Sequence, residues 1–412
     1  MSRIMPSYFN RSFHFCRHFS SMQAWQCYDY GGIDSLQLST TARIPCIQSP
    51  NDVLIKVKAA SVNALDVNMT DGFGRVFIGK FRELNNIFKR KTVTEFPATF
   101  GRDFSGIVVE CGKNCVEFKS GDEIWGNVPV YQPGSHSEFT VSSRHLVSIK
   151  VVSKKPRNLN FVEAASVPYS CLTALSALTF SAGLKPAQLS KKRILVLGGA
   201  GGIGTFAIQW LKHGGAYVAT TASPDATELL YNIGADLVIN YQDENYMSDL
   251  ISQSEKFDVI LDAIAAAGRR DDINALLKPR CGKYVALTSP MLSNTDSFGI
   301  LGGSAKSAFD LISTNIQVLQ FYSLLIYAIA IQKGYIHYWA FAAPFKNFLP
   351  DVHTAYENRM IVPVIDKVFG FNEVLKAYKS VAQGHARGKT VIDFNLPHQD
   401  EELTDKPSNH LS

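Results

Sequence analysis

The residues that most clearly predict chemistry form a glycine-rich turn between an apolar run and a helical segment. In LVLGGAGGIGTFAIQ, residues 195–209, five glycines fall within the seven positions 198–204. Glycine there lets the chain turn tightly, approach a pyrophosphate closely and pack a helix on a strand. Two frames fit, GxxGxxG from Gly198 and GxGxxG from Gly199. Backbone N–H groups at the helix start then face the anion. The pattern predicts a dinucleotide-binding turn with five contacts: Ala200, Gly201, Gly202, Ile203 (through its backbone N–H) and Gly204.

The end of the next predicted strand indicates which nucleotide is bound. NAD-binding sites usually carry Asp or Glu there, which accepts a hydrogen bond from the ribose 2′-OH. This strand ends with the residues TTAS, 220–223. A hydroxyl group can donate to a 2′-phosphate that a carboxylate would repel, so Ser223 favours NADPH as the cofactor. Two points stay open: no Arg or Lys is adjacent to Ser223 in the sequence, and Ser223 could instead cap the helix after Pro224.

The patterns on either side of the turn predict the elements that position it. Residues 22 to about 160 read as strands separated by Gly, Asp and Ser turns. The next twenty residues read as a helix that Pro168 must kink or break. Strands and helices then alternate in the βαβ order of a doubly wound parallel sheet. Residues 361–394 return to a strand, a helix and a strand. The predicted fold class is therefore α/β, a β-rich domain plus a Rossmann domain.

The ends of the chain are predicted to lie outside both domains. The start has arginines at 3, 11 and 17, several serines and aromatics, and no acid, which is the composition of a mitochondrial transit peptide. The polar end, LPHQDEELTDKPSNHLS, is typical of a disordered tail. The predicted boundaries are a transit peptide at 1–21, a first domain formed by 22–160 and 361–395, a Rossmann domain at 161–360, and a tail at 396–412.

Composition excludes several other classes of protein. The chain has 412 residues, 46% of them hydrophobic and 19% charged, as in a globular enzyme. A net charge of +5, without a basic block, does not indicate a nucleic-acid partner. The most apolar run, FYSLLIYAIAI at 321–331, is too short to cross a bilayer as a helix, so no transmembrane span is predicted. Seven cysteines contain no CxxC pair, so no structural zinc knuckle is expected.

A set of motifs in a fixed order resembles the medium-chain dehydrogenase/reductase superfamily, in particular its quinone-oxidoreductase branch. The motifs extend from residue 59 to residue 392 and are AASVNALDV, FGRDFSGIVVECG, FKSGDEIWG, AASVPYSCLTALSAL, LGGAGGIGTFAIQ, GADLVINY and GHARGKTVI. The resemblance implies a GroES-like first domain that carries catalysis and a Rossmann domain that binds NADP. Within the branch, the GRD and HARGKT motifs and a basic insertion after Gly72 resemble a family of mitochondrial, reticulon-interacting NAD(P)H oxidoreductases. That resemblance implies the mitochondrial matrix, ubiquinone biosynthesis and a reticulon partner.

Departures from the parent superfamily predict the absence of a metal. Zinc-dependent members carry Cys near position 63 and a GHE segment near 101–103, where this chain has Asn63, Arg102 and Asp103. A protonated Arg cannot ligate a metal. The reduced acceptor then needs another donor, and the candidates are Asn63, through its amide, and Asp66, which can orient it. Both could instead form a local turn after a strand, and Arg102 with Asp103 could be a buried structural pair.

Further cofactor contacts follow from the resemblance and from strand order. Thr173 is expected at the nicotinamide carboxamide, Tyr241 near the adenosine phosphate, and Asp262 with Ala263 at the nicotinamide end of the cleft. The returning segment supplies His385, Ala386 and Arg387, and Arg387 could reach a phosphate or form a surface salt bridge. The phenols of Tyr131 and Tyr169 could act as donors, but both residues are interpreted as core residues.

The predicted activity is hydride transfer from NADPH to a quinone or an activated carbonyl or alkene. The alternatives are a 2-enoyl thioester reductase and a cofactor-loaded interaction protein with little turnover. Residues 72–97 are long for a connection, which indicates a lid or binding loop, or a solvated basic helix. A homodimer stays an open alternative.

Overall fold

The computed structural model describes residues 21–87, 94–143, 145–146, 149–252, 255–264, 273, 275–287, 291–317, 336–339 and 348–396. The apolar run 321–331, all but the last residue of the predicted transit peptide and all but the first residue of the predicted tail lie outside the described residues. The described strands are β1 Met22–Cys27, β2 Leu36–Ala42, β3 Asp52–Val62, β4 Ala98–Thr99, β5 Asp103–Cys111, β6 Glu123–Asn127, β7 Phe139–Ser143, β8 His145–Leu146, β9 Ile149–Lys150, β10 Val152–Lys154, β11 Arg193–Leu197, β12 Tyr217–Ala222, β13 Leu237–Asn240, β14 Val259–Asp262, β15 Lys283–Ala286, β16 Ile336–Trp339, β17 Ile365–Gly370 and β18 Lys389–Asp393. The described α-helices are α1 Ala64–Thr70, α2 Arg75–Ile87, α3 Phe161–Ala165, α4 Pro168–Leu175, α5 Gly202–His213, α6 Thr227–Asn232, α7 Tyr246–Ser252, α8 Met291–Gln317, α9 Leu349–Glu357 and α10 Val374–Ala382.

The first domain is built on a mostly antiparallel sheet in the order β10-β6-β5-β3-β18-β17, with β7 also paired to β3. Strand β3 is central, and nine of its eleven residues are buried. The last strand of the chain, β18, runs antiparallel to β3, with Thr390 opposite Val62. The end of the chain therefore lies in the same sheet as its first third. A second sheet, β2-β1-β4, packs beside it.

The second domain is a parallel sheet in the order β13-β12-β11-β14-β15-β16. Alternate residues of β11 enter different cores: Ile194 and Val196 pack in one hydrophobic cluster, Leu195 and Leu197 in another. A strand buried on both faces is what a doubly wound sheet requires. The structure confirms the predicted α/β class, whereas the predicted domain boundaries at residues 160 and 360 stay predictions.

The order in which strands are added to the sheet reverses at β11, and this creates the cleft: β12 and β13 lie on one side of β11, and β14 to β16 lie on the other. Strand β11 pairs with β12 on one side and β14 on the other, so Leu197 has Thr221 and Asp262 as its neighbours. Ligands of open α/β sheets bind at the carboxyl ends of the strands at such a switch point. The glycine turn follows β11 directly, and it therefore lies at this edge.

The helical run from Phe161 to Ser181 is interrupted where Pro168 predicts. Helix α3 ends at Ala165, and Pro168 is the first residue of α4. This run is the only one among the described residues that is long and apolar enough to cross a membrane, and 78% of its most apolar window is buried inside the fold. Its apolar surface is thus already covered by the protein itself.

Residues 72–97, predicted as a lid or a basic helix, contain helix α2 in their first half. The helix begins under Asp296 of α8, whose carboxylate accepts from the backbone N–H groups of Gly74 (2.6 Å) and Val76 (2.9 Å). An acid at a helix N-terminus satisfies unpaired N–H groups and complements the helix dipole. One helix therefore fixes the start of the other, which favours the helix interpretation over that of a free loop.

Candidate cofactor and acceptor site

The glycine turn has the geometry of an anion-binding turn. Gly198 has φ of 79°, a conformation that side chains rarely adopt. A β-carbon on Gly204 would lie 2.4 Å from the carbonyl oxygen of Gly198, so glycine there allows close packing of helix on strand. A β-carbon on Gly201 would meet nothing nearer than 3.8 Å. The space above Gly201, at the start of α5, is therefore open to a ligand, and the first N–H groups of α5 have no partner within the helix.

Two threonines of β12 hold the turn from behind. The hydroxyl of Thr220 donates to the carbonyl of Val196 at 2.8 Å, and the hydroxyl of Thr221 accepts from the N–H of Gly198 at 3.2 Å. The hydroxyl residues at the end of β12 thus divide into two roles. The threonines fasten the backbone of the turn, and only Ser223 is left to face a ligand.

The returning segment 384–388 packs directly on the glycine turn. The N–H of Gly388 donates to the carbonyl of Ala200 at 2.8 Å, and Gly201 and Gly388 form a parallel bridge. His385 is exposed, with φ of 61°, and Ala386 is partly buried beside it. The first domain therefore covers the turn with backbone, and the predicted contacts His385 and Ala386 lie next to the predicted phosphate site.

Arg387 and Ser223 come together although 164 positions separate them in the sequence. Arg387 Nη2 donates to Ser223 Oγ at 2.9 Å and also contacts the carboxylate of Asp225. Ser223 makes no side-chain hydrogen bond as a helix cap. The fold thus supplies beside Ser223 the cation that the sequence lacks there, while the interpretation of Arg387 as a salt-bridge residue also holds through Asp225.

Tyr241 lies beside Ser223, because β12 and β13 pair at Ala222 and Asn240 and both residues come one position later. The N–H of Tyr241 donates to the carbonyl of Ala222 at 3.2 Å, and its side chain is exposed. An exposed aromatic ring next to the presumed ribose end of the cleft can cover a purine. The predicted placement of Tyr241 near the adenosine is compatible with this geometry.

The residues predicted at the nicotinamide end are largely turned inward. Asp262 is fully buried, and its carboxylate accepts from Tyr284 at 2.5 Å and from the N–H of Ile264 at 3.0 Å. Burial and this carboxylate raise the pKa of Tyr284. The hydroxyl of Thr173 donates to the carbonyl of Tyr169 at 2.7 Å. Both side chains thus already have partners, and Asp262 would support the cleft from behind.

A buried polar cluster joins strand β3, helix α1, the GRD segment and strand β18. Asn63 is the first residue before α1, and its amide Nδ2 donates to Asp66 (3.1 Å) and to Asp103 (3.0 Å). The backbone N–H of Asn63 also donates to Asp66 at 2.9 Å. Asp103 accepts in addition from the hydroxyl of Ser61 and the N–H of Tyr169, each at 2.5 Å. Asn63 and Asp66 are thus adjacent, as the sequence predicts, but both N–H groups of the amide are engaged.

Lys389 completes this cluster and was missed in the sequence. Its ammonium donates to the amide oxygen of Asn63 and lies 3.3 Å from Asp103, and the residue is only 6% exposed. Its aliphatic stem passes beside the glycine turn, since a β-carbon on Gly202 would lie 2.5 Å from Lys389 Cδ. The signal was available: Lys389 follows the predicted contact Arg387 by two positions and opens a buried strand.

The pairing of Arg102 differs from the sequence-based interpretation. Arg102 lies 3.6 Å from Asp66, and its guanidinium donates to the carbonyl of Pro129 at 2.8 Å. Asp103 pairs with Lys389 instead, so the proposed Arg102–Asp103 pair is wrong. The reason is that Arg102 directly precedes β5 and Asp103 is its first residue, and neighbouring side chains of an extended chain point to opposite faces. Tyr131 is a core residue, as predicted, and burial raises its pKa to about 12.

Fold and cleft together define a medium-chain dehydrogenase/reductase, a two-domain NAD(P)-dependent oxidoreductase. Two family models match in agreement: an alcohol dehydrogenase GroES-like domain at residues 49–150 and a zinc-binding dehydrogenase at residues 233–392. The quinone oxidoreductase from Coxiella burnetii is similar in structure, with a TM-score of 0.66 and 26% identity over 90% of this chain and 99% of that one.

Two curated relatives narrow the class. The mitochondrial NAD(P)H oxidoreductase RTN4IP1 of Danio rerio is 39% identical over 374 residues, 90% of this chain and 91% of that protein. The chloroplastic NADPH-dependent alkenal/one oxidoreductase of Arabidopsis thaliana is 38% identical over 384 residues, 90% of this chain and 79% of that protein. The chain belongs to the NAD(P)H oxidoreductase RTN4IP1 family, and it is an oxidoreductase of the quinone-oxidoreductase type.

Proposed function

We propose that this protein transfers a hydride from NADPH to a quinone or an activated carbonyl or alkene, without a metal, in the mitochondrial matrix. The observation that carries the proposal is the Ser223–Arg387 pair, next to a glycine turn that the same segment covers. Arg387 also has a buried Nε without a hydrogen-bond partner among the described residues. Because a buried N–H without a partner is costly, this nitrogen supports a missing anionic group, which the 2′-phosphate of NADPH would supply.

The chain's own residues fit the phosphate and adenosine parts of the cofactor. The N–H groups at the start of α5 would hold the pyrophosphate, and Ser223 with Arg387 would hold the 2′-phosphate. Tyr241 would cover the adenosine. Bound NADPH supplies the hydride. Gly388 packs on one side of the turn and would help to exclude water from the bound phosphates.

The acceptor end is proposed at the buried cluster. Asn63 and Asp66 would serve it by exchanging one amide hydrogen bond for a bond to the reduced oxygen. The cluster would keep that amide in place, since Lys389 holds its oxygen and Asp103 one of its N–H groups.

The donor set at this cluster supports a metal-free reaction, although one matching family model is described as zinc-binding. The positions around Asn63 carry Arg102 and Lys389, whose positive charges disfavour a bound cation. Both carboxylates of the cluster already face these cations. In the described part of the chain, no three His, Cys, Asp or Glu side chains are grouped so that they could hold a metal ion.

The acceptor and the location are inferred from the relatives. The Arabidopsis relative, named an alkenal/one oxidoreductase, supports an α,β-unsaturated carbonyl acceptor, and the Coxiella structure supports a quinone. Relatives named mitochondrial support the mitochondrion. The link to ubiquinone biosynthesis rests on the motif resemblance alone.

The test is Gly201→Val, with NADPH binding measured by calorimetry. Space for the side chain exists only where the phosphate would lie, so the variant should fold and lose at least about a hundredfold in affinity, because two charge-assisted hydrogen bonds are displaced. Gly79→Val in α2 is the matched control, since nothing lies within 4 Å of its β-carbon, while a β-carbon on Gly201 meets only the carbonyl oxygen of Gly198, at 3.8 Å. If Gly201→Val leaves the affinity for NADPH unchanged, the pyrophosphate does not bind at this turn.

The same preparations decide between the alternatives. NADPH consumption is measured with three acceptors: a quinone, an alkenal and an enoyl thioester. We expect turnover with the quinone and the alkenal and none with the enoyl thioester. Elemental analysis should find no stoichiometric zinc. Tight NADPH binding without turnover on any acceptor would instead favour the interaction protein.

A further inference from the structure

Asp225 is a charged residue of the cleft that the proposed function does not use. It lies three positions after the end of β12, in the short 3₁₀ turn Pro224–Ala226. Its carboxylate contacts Arg387 Nη2, the same nitrogen that donates to Ser223 at 2.9 Å. The side chain of Asp225 is 65% exposed and that of Arg387 only 23%. The carboxylate is therefore the more exposed partner, and it occupies one edge of the guanidinium.

We propose that Asp225 determines cofactor specificity by competing with the 2′-phosphate of NADPH for Arg387, so that the chain accepts NADH as well as NADPH. This inference rests on the proposed function. We call the three residues Ser223, Asp225 and Arg387 the selector. In the selector, the carboxylate of Asp225 occupies the position beside Arg387 that the 2′-phosphate of NADPH would take.

Asp225 is negatively charged at neutral pH, so it can compete with the 2′-phosphate for Arg387. Hydrogen bonds from Ser223 and from Arg387 hold the pKa of this carboxyl below its usual range, so it is ionised there. The 2′-phosphate is also an anion and would bind the same guanidinium, whose Nη2 already donates to Ser223 and contacts Asp225. Two anions at one guanidinium repel each other, so the 2′-phosphate binds more weakly while Asp225 stays in place.

NADH does not compete with Asp225 for Arg387. Its ribose carries a neutral 2′-OH, which can donate to a carboxylate, as the acid after the second strand does in NAD-binding sites. The Asp225–Arg387 pair can thus stay intact. The backbone favours this arrangement, because Pro224 restricts the turn and the N–H of Ala226 donates to the carbonyl of Ser223 at 3.1 Å. Rotation of the exposed Asp225 side chain would release Arg387 without moving this turn.

The experiment measures the dissociation constants of NADPH and NADH by calorimetry for the wild type, Asp225→Asn and Arg387→Gln. Asp225→Asn removes the competing charge and should tighten NADPH about fivefold, a modest gain because exposed ion pairs are weak. NADH should change by no more than about twofold. The gain in NADPH affinity should shrink in 0.5 M salt, because the Debye length is then only a few ångströms, about the distance between the charges.

Asp34→Asn is the matched control, because Asp34 is also exposed and paired, with Lys379 at 2.9 Å, and is not part of the selector. It should leave both constants unchanged. Unchanged or weaker NADPH binding in Asp225→Asn would overturn the competition, and weaker binding would make Asp225 an anchor for Arg387. Arg387→Gln tests the proposed function separately: it should weaken NADPH at least tenfold more than NADH, and an equal loss would remove the 2′-phosphate site whatever Asp225 does.

Discussion

Asp103 is the residue on which the buried cluster depends. Its side chain is fully buried and accepts from four donors on four different elements: Ser61, Asn63, Tyr169 and Lys389. A buried carboxylate is tolerated only when it is paired and hydrogen-bonded. Lys389 is the only one of these four donors that carries a positive charge. Removing that charge while Asp103 stays should therefore destabilise the folded protein.

Lys389→Met tests this dependence at the scale of one residue. The variant keeps the aliphatic stem beside Gly202 but leaves Asp103 without a counter-charge, which should lower the free energy of unfolding by about 3–5 kcal/mol. Urea denaturation measures the loss. Adding Asp103→Asn should restore part of it, because the uncompensated charge is then gone.

The control for that variant is Lys376→Met. Lys376 also forms an ion pair, with Glu373 at 3.0 Å, but its side chain is 68% exposed. Its removal should cost no more than about 1 kcal/mol. Equal losses of unfolding free energy in Lys389→Met and Lys376→Met would show that the buried ion pair stabilises the fold no more than an exposed one.

The segment 384–388 is the element that joins the two domains at the cofactor site. Three of its residues have left-handed backbone, with φ of 75° at Gly384, 61° at His385 and 109° at Gly388. This tight course brings Arg387 to Ser223 and Gly388 to Ala200. The segment therefore places a side chain and a backbone N–H at the turn at the same time.

Gly388→Ala should disturb this element, and Gly384→Ala should disturb it much less. A β-carbon on Gly388 would lie 2.3 Å from the carbonyl oxygen of Val364, whereas one on Gly384 meets nothing within 4 Å. Both variants carry a left-handed strain of about 1–2 kcal/mol, and only Gly388→Ala adds an overlap with backbone. Thermal unfolding and NADPH affinity should both fall further in Gly388→Ala; equal effects would show that the close packing on Val364 is unimportant.

Elements with a strong local pattern could be predicted from the sequence, and contacts between distant elements could not. The glycine turn, the break at Pro168 and the strands of the parallel sheet each depend on neighbouring residues. Strand β2 has a weaker local pattern, because five of its seven residues are partly or fully exposed and it lacks a buried periodic face. The partnership of Ser223 with Arg387 depends on how β18 joins the first sheet, which no local pattern encodes.

At the scale of the whole molecule, the two sheets are held together at several points besides the cofactor site. Asn158 donates to the carbonyl of Tyr356 at 2.8 Å, and the ring of Tyr356 meets Trp125 edge-on, with centroids 6.0 Å apart. On α5, Gln209 exchanges two hydrogen bonds with the backbone of Val362, at 3.0 and 2.8 Å. The cleft is thus a fixed feature of a joined structure, and a ligand in it would contact both domains.

This arrangement predicts how NADPH changes thermal stability. NADPH at a hundred times its dissociation constant should stabilise the folded state by about 2.7 kcal/mol. If the 412 residues unfold together, that energy corresponds to a rise of about 3 °C in the melting temperature, at about 2.1 cal/mol/K per residue. Differential scanning calorimetry should show one transition that moves by this amount, and Gly201→Val should show no shift. A curve with two transitions, of which only one moves and by about twice as much, would mean that the nucleotide is held by the parallel-sheet domain alone and that segment 384–388 adds nothing to its binding.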